Sequence, residues 1–275
     1  MMPARKAAVV AMLVALGAAP SRARAIDYWT YARLLGAHVR AGRIAGVRLN
    51  LADYGAMKGD PDYVRSLDDF ARAEPERLAS KADRFAFWIN AYNLMAIKAV
   101  LDQYPTGSIR DGGSLLRPIW KRTIGTVART EHTLDDIEHG ILRREFGDPR
   151  VHFAIVCASV SCPDLRAEPY EGARLDAQLD DAVRRFLANR KKGLVPGADG
   201  RTAQVSSVFK WFAGDFAGAG GVAAFIRAKA DPALAPEVTG LTDAGLSYLP
   251  YDWSLNDAAR SEERPGTQSR WLHPV

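Results

Sequence analysis

Asp83-Arg84-Phe85-Ala86-Phe87-Trp88-Ile89-Asn90-Ala91-Tyr92-Asn93-Leu94-Met95-Ala96-Ile97-Lys98-Ala99-Val100-Leu101 is the stretch that decides the fold. Set at about 100° per residue, its apolar side chains cover every direction, which predicts a helix buried on all sides. Ser80 or Asp83 is available to cap it, and Pro105 lies just past its end. At roughly 1.5 Å per residue it is about 28 Å long, and Asn90, Asn93 and Lys98 interrupt it, so it is a core helix and not a membrane span. Asn90 and Asn93, three apart, share a side, and each brings an amide with two donors and an acceptor oxygen into a dry interior. Two readings follow: the amides staple the helix to neighbouring backbone, or they line a site.

Outward from this helix, the chain reads as one α+β, helix-rich domain around a small, mostly antiparallel sheet. Residues 26–74 are expected to form a helical extension, with short helices or turns over Tyr28–His38 and Leu49–Met57 and helix over Ser66–Ala79. Thr133 and Asp136 have capping-box spacing before a helix from Leu134 to about Phe146. On its wheel Leu134, Ile137, Ile141 and Leu142 form a stripe, and Glu138 falls inside it, where an acid must be paired, hydrogen-bonded or protonated. Val151-His152-Phe153-Ala154-Ile155-Val156-Cys157 is the strongest strand signal, and it runs into the small polar loop Ala158–Pro163. Leu175–Leu187 has the spacing of an amphipathic helix, Gly193–Val208 that of a hairpin around Gly197–Gly200, and Tyr248–Trp253 that of a closing extended segment. Residues 257–275 read as a polar, disordered tail.

The chain has 275 residues, 37 Lys and Arg, 32 Asp and Glu, and a net charge of +5. Arg5 and Lys6, the apolar run Ala7–Ala19 and Ala23-Arg24-Ala25 have the order of a secretory signal peptide, predicting cleavage after Ala25 and a periplasmic or secreted protein. Removing Arg5, Lys6, Arg22 and Arg24 with that leader leaves 33 basic against 32 acidic residues, a charge of +1. The basic balance therefore belongs mainly to the leader and gives no reason to expect a nucleic-acid partner. No later run is long enough to span a bilayer, and no glycine-rich phosphate loop or dinucleotide fingerprint follows a strand, so no membrane span and no cofactor are expected.

Several separated stretches, taken together, resemble one family. Phe87-Trp88-Ile89-Asn90-Ala91-Tyr92-Asn93, Leu134–Arg143, Asp148–Ala154, Cys157-Ala158-Ser159-Val160-Ser161-Cys162-Pro163 and Tyr251-Asp252-Trp253-Ser254-Leu255-Asn256 are similar, in that order, to the domain of unknown function 547, over residues 75–256. Ala158 is a departure, since the family more usually carries glycine after the first cysteine. The resemblance implies an α+β domain of exported bacterial proteins and supplies no reaction.

The polar residues within those motifs are Asn90, Asn93, Glu138, His139, His152, Cys157, Ser161 and Cys162. They include what a thiol nucleophile requires: a sulfur, an imidazole to take its proton, and a carboxylate or amide to orient the imidazole. Five apart on one strand, His152 and Cys157 would lie about 16 Å from each other on opposite faces, so they form no pair unless the strand breaks. The leading expectation is a cysteine-dependent hydrolase or transferase of acyl or amide substrates. Cys157 or Cys162 is its nucleophile, His139 its base with His152 second, Glu138 or Asn90 the orienter, and Asn93 and Ser161 contact substrate. This layout loosely looks like papain-like and transglutaminase-like folds as an analogy of parts. The alternative is a non-catalytic binding or envelope-scaffold domain with Cys157 and Cys162 bridged, a link worth roughly 2 kcal/mol. A metal site of Cys157, Cys162, His139 and His152 lacks the paired spacing of a zinc ribbon, so no metal is assigned.

Overall fold

The computed structural model describes residues 26–262, and the expected leader 1–25 and the tail beyond 262 lie outside them. The N-terminal part is α1 (Trp29–His38), a hairpin of β1 (Val39–Ile44) and β2 (Val47–Ala52), α2 (Tyr54–Gly59) and α3 (Pro61–Arg72). The hairpin is a departure from the helical extension expected there. It turns on Ala45 and Gly46, both at positive φ, a two-residue geometry that an Ala-Gly pair signals only weakly.

Helix α4 (Lys81–Leu101) is the predicted central helix, and from Phe85 to its end every residue but Lys98 is buried. Ser80 caps it: the Asp83 N–H donates to Ser80 Oγ at 3.0 Å, and Ser80 Oγ donates to Asp83 at 2.7 Å. The helix therefore starts two residues before Asp83. A second hairpin, β3 (Thr123–Val127) and β4 (Thr130–Thr133), packs beside it.

The next helix forms from Asp136 to Phe146 with its Thr133–Asp136 capping box in place, and it is a π-helix, not an α-helix. π-Geometry is rare and concentrates at functional sites. The predicted strand over 151–157 is overturned: Pro149–Phe153 is a 3₁₀ helix that runs into a turn. A short run apolar throughout does not separate a buried strand from another buried element, and here Asp148 caps a helical turn through the Arg150 N–H at 2.9 Å.

The C-terminal part comprises α5 (Leu175–Ala188), β5 (Leu194–Pro196), β6 (Ala203–Val205), α6 (Ser207–Trp211), α7 (Val222–Lys229), α8 (Ala235–Val238) and β7 (Leu246–Tyr248). The expected hairpin is β5 antiparallel to β6, and β7 joins β6 in parallel. The fold is thus α+β, with its strands divided among three small, mainly antiparallel sheets. One core surrounds α4. A second is built from Phe153, Phe186, Phe209, Phe216 and Phe225, with Phe153 stacked on Phe225 at 5.8 Å. Asp257 and Ala258, read in sequence as the start of the tail, are buried.

Candidate functional site

A cleft of about 290 Å³ opens between the two cores, with Tyr92, Glu138 and Val156 on one wall and Val208, Phe212 and Tyr251 on the other. Cys157, Cys162, His139 and His152 also line it. The sequence placed His152 and Cys157 apart on a strand. The 3₁₀ turn removes that strand and brings both to one cavity.

The amides of α4 are the staples. Asn90 donates to Tyr170 O at 2.8 Å and accepts from Tyr170 N–H at 2.9 Å. Asn93 does the same to Ala154 O and Val156 N–H, both at 3.0 Å. Each amide replaces a strand-like backbone partner, so Ala154 O, Val156 N–H and both backbone groups of Tyr170 are satisfied. Asn90 therefore orients no imidazole and Asn93 touches no cavity; Asn93 fixes the backbone that delivers Cys157. Ser161 is likewise structural: its hydroxyl accepts from Asp252 N–H at 2.9 Å, and its own N–H donates to Asp252 O at 3.2 Å.

The sulfur turn is strapped by the closing segment. Val160 N–H donates to Ser254 O at 2.8 Å, and Asn256 N–H to Ala158 O at 3.1 Å. Ala158 sits at φ +56°, the left-handed conformation that glycine adopts without cost. Both cysteines are free thiols. The Cys157 N–H donates to Cys162 Sγ at 2.7 Å, while Cys157 Sγ lies 3.2 Å from Ser159 Oγ and 3.1 Å from Tyr251 Oη. Burial opposes ionisation of Cys157, but hydrogen bonds from Cys162, Ser159 and Tyr251 together outweigh it and bring the thiol down to about 7. Burial and its bond to Cys157 push the Cys162 thiol up. The pair is therefore asymmetric, with the charge on Cys157.

Glu138 is where the stripe placed it, buried, and it accepts from Tyr92 Oη at 3.1 Å. Burial raises its pKa to about 7, against the Tyr92 hydrogen bond and the Arg143 charge. The negative charge of Cys157 adds to the rise, so thiol and carboxyl compete for a proton in one dry space.

Neither histidine hydrogen bonds to sulfur. Nδ1 of His139 is 2.9 Å from Arg143 Nη1, which only donates, so the proton sits on Nε2, 3.8 Å from Asp135. Burial lowers its pKa although 43% of the side chain is exposed. His152 lies flat on Phe212 with ring centroids 3.9 Å apart, and its Nε2 is 2.7 Å from Asp215. Arg143 holds Asp215 through two bonds, at 2.6 and 2.7 Å, which keep the carboxyl down at about 2. Burial takes His152 down to about 4, so it is neutral at pH 7, donates from Nε2, and leaves Nδ1 buried with no partner among the described residues. Among the described residues no group of three or more His, Cys, Asp or Glu could hold a metal ion.

Sequence reasoning missed Tyr92, Arg143, Ser159, Asp215 and Tyr251. All but Asp215 lie in the motif stretches, yet tyrosine in an apolar run reads as packing. Aromatic side chains finish the mouth: Trp253 stacks on Trp211 at 5.7 Å and meets Trp120 edge-on at 5.6 Å.

Together these features define an α+β domain with an asymmetric thiol pair at the floor of an aromatic cleft. Residues 75–187, which contain α4, the π-helix and both cysteines, match the family described as "Protein of unknown function, DUF547". No curated protein and no solved structure matches it. No helix among the described residues is long and apolar enough to cross a membrane.

Proposed function

We propose that the protein is a cysteine-dependent acyl or amide hydrolase or transferase that works outside the cytoplasm, after export directed by the leader 1–25. One observation carries the reading: Cys157 Sγ faces the cleft with hydroxyl donors at 3.1 and 3.2 Å, an arrangement that stabilises thiolate. The Cys157 thiolate attacks the carbonyl carbon of the substrate. As the sulfur loses its charge, the hydroxyls of Tyr251 and Ser159 are released to follow the charge onto the oxygen. The bond to the leaving group breaks, and Glu138 in its protonated form supplies the proton. Water or an acceptor amine or alcohol then attacks the thioester, Glu138 takes its proton, and Cys157 leaves as thiolate. The role expected of His139 thus passes to Glu138, whose pKa of about 7 suits both directions of transfer. Arg143 and His152 both bond Asp215, and this cluster fixes the His152 ring beside the cleft.

The test is intact mass after incubation with p-nitrophenyl acetate. One acetyl group on the wild-type protein, absent in Cys157→Ser and turned over more slowly in Glu138→Gln, is the expected result. No adduct, or one that Cys157→Ser retains, overturns the reading and leaves the non-catalytic binding domain.

A further inference from the structure

Beside the cleft mouth, the segment after α4 ends in a turn whose chemistry the thiol site does not use. Leu115 and Leu116 are 99% and 98% exposed, the most exposed large apolar side chains among the described residues. Their exposure is enforced. Ser114 N–H donates to Arg117 O and Arg117 N–H to Ser114 Oγ, each at 3.0 Å, so the two leucines are the tip of a closed turn. Behind it, a Cβ on Gly113 would meet Ile119 N at 2.4 Å, so the base is packed tight, and Arg122 donates to Gly112 O.

Around this tip the charges are mainly of one sign. Arg110, Arg117, Lys121 and Arg122 are exposed, and Arg117 and Lys121 form no ion pair among the described residues. The nearby carboxylates are turned to backbone: Asp111 accepts from Gly107 N–H at 3.2 Å and Ser108 N–H at 3.0 Å, and Asp252 from Ser254 N–H at 2.8 Å. Trp120 and Trp253, which line the cleft, also line the shallow depression that Leu115 borders, and Arg110 lies over the Trp253 ring at 5.2 Å.

We propose that this turn docks the protein onto an anionic phospholipid surface, with Leu115 and Leu116 entering the acyl boundary and the cations of 110–122 on the headgroups. Two leucine side chains cover far less than the roughly 800 Å² per partner that a stable protein interface needs. They suffice for shallow insertion when several basic residues add attraction. Tryptophans at the base occupy the depth where an amphipathic ring is favoured. The cleft then opens beside the bilayer, within reach of an acyl group presented there. The docking itself is independent of the thiol chemistry, and so is its test.

The experiment is co-sedimentation of residues 26–275, which contain both cores and the smaller cluster of Ile44, Leu49, Leu51, Val160 and Ala258, with vesicles of phosphatidylcholine alone or mixed equally with phosphatidylglycerol. The run 7–19 is left out because it would itself partition into lipid. Wild-type protein is expected to bind the mixed vesicles at least about tenfold more strongly than neutral ones, each basic residue near the surface contributing about fivefold. Leu115→Ser with Leu116→Ser is expected to weaken that binding at least about tenfold at unchanged Cys157 alkylation, which reports an intact fold. Arg117→Glu with Lys121→Glu should remove the preference for the anionic vesicles. No binding of wild-type protein, undiminished binding of the leucine variant, or a dimer that this variant dissociates would each overturn the proposal.

Discussion

Helix α4 and the cleft wall both bury polar side chains among apolar ones, and they treat them in opposite ways. Asn90 and Asn93 each exchange two hydrogen bonds with backbone, one donated and one accepted, which fixes both ends of the amide. Across the cleft, Glu138 has one neutral donor, His152 a nitrogen with no partner among the described residues, and Cys157 the charge of the thiol pair. A buried polar group that is fully paired holds a fold together. One left partly paired keeps a pKa that chemistry can use.

The contrast breaks most sharply at Asn93. Asn93→Ala orphans Ala154 O and Val156 N–H, and a loss of about 4 kcal/mol in denaturant unfolding is expected, at 1–3 kcal/mol for each group left unpaired. Cys157→Ala, by comparison, should stay within about 1 kcal/mol of wild type. Equal losses for the two would erase the distinction.

Glu138 gives the next largest effect, as a pH dependence. Its folded pKa of about 7 lies above its ordinary 4.5, so the folded state binds the extra proton between those values and stability falls as pH rises through them. By pH 8 the loss is about 3 kcal/mol, at 1.36 per unit. His152 acts oppositely: its folded value of about 4 lies below the ordinary 6.5, so the unfolded state binds the extra proton and stability rises with pH across that span. From these two groups the wild-type profile is nearly flat between pH 4.5 and 6.5. Glu138→Gln should abolish the loss at pH 8 and uncover a rise of about 1.4 kcal/mol per unit below 6.5. Melting temperatures across this range check both slopes.

Smaller still is Tyr251→Phe, which removes a donor to the thiolate and should move the Cys157 alkylation midpoint up by about one unit from its position near 7. An unmoved midpoint would assign the thiolate's stability to Cys162 and Ser159 alone. Smallest is Ala158→Gly, expected to stabilise by up to about 1 kcal/mol by relieving a left-handed alanine.

What was legible follows from distance along the chain. The apolar circumference of α4, the capping box at Thr133 and the hairpin from 194 to 205 are local patterns, and each formed where its residues stand. Glu138 was also legible, since an acid inside an apolar stripe is a local contradiction. The failures have equally physical causes. The run 151–157 has no alternation, so its period could not choose between a strand and a turn. The stripe at 134–142 was read at about 100° per residue, a period that carries no signal for the wider π turn, which packs against α4.

By itself, then, the sequence determined which segment is buried and which polar residues would be hard to accommodate, because burial and periodicity are properties of neighbours in the chain. The tertiary structure decided which of those residues were satisfied and which met at the sulfur. Tyr92 reaches Glu138 across 46 residues, Asp215 reaches His152 across 63, and Tyr251 reaches Cys157 across 94. No local pattern encodes contacts of that separation; they exist only once the two cores close against each other and leave the cleft between them.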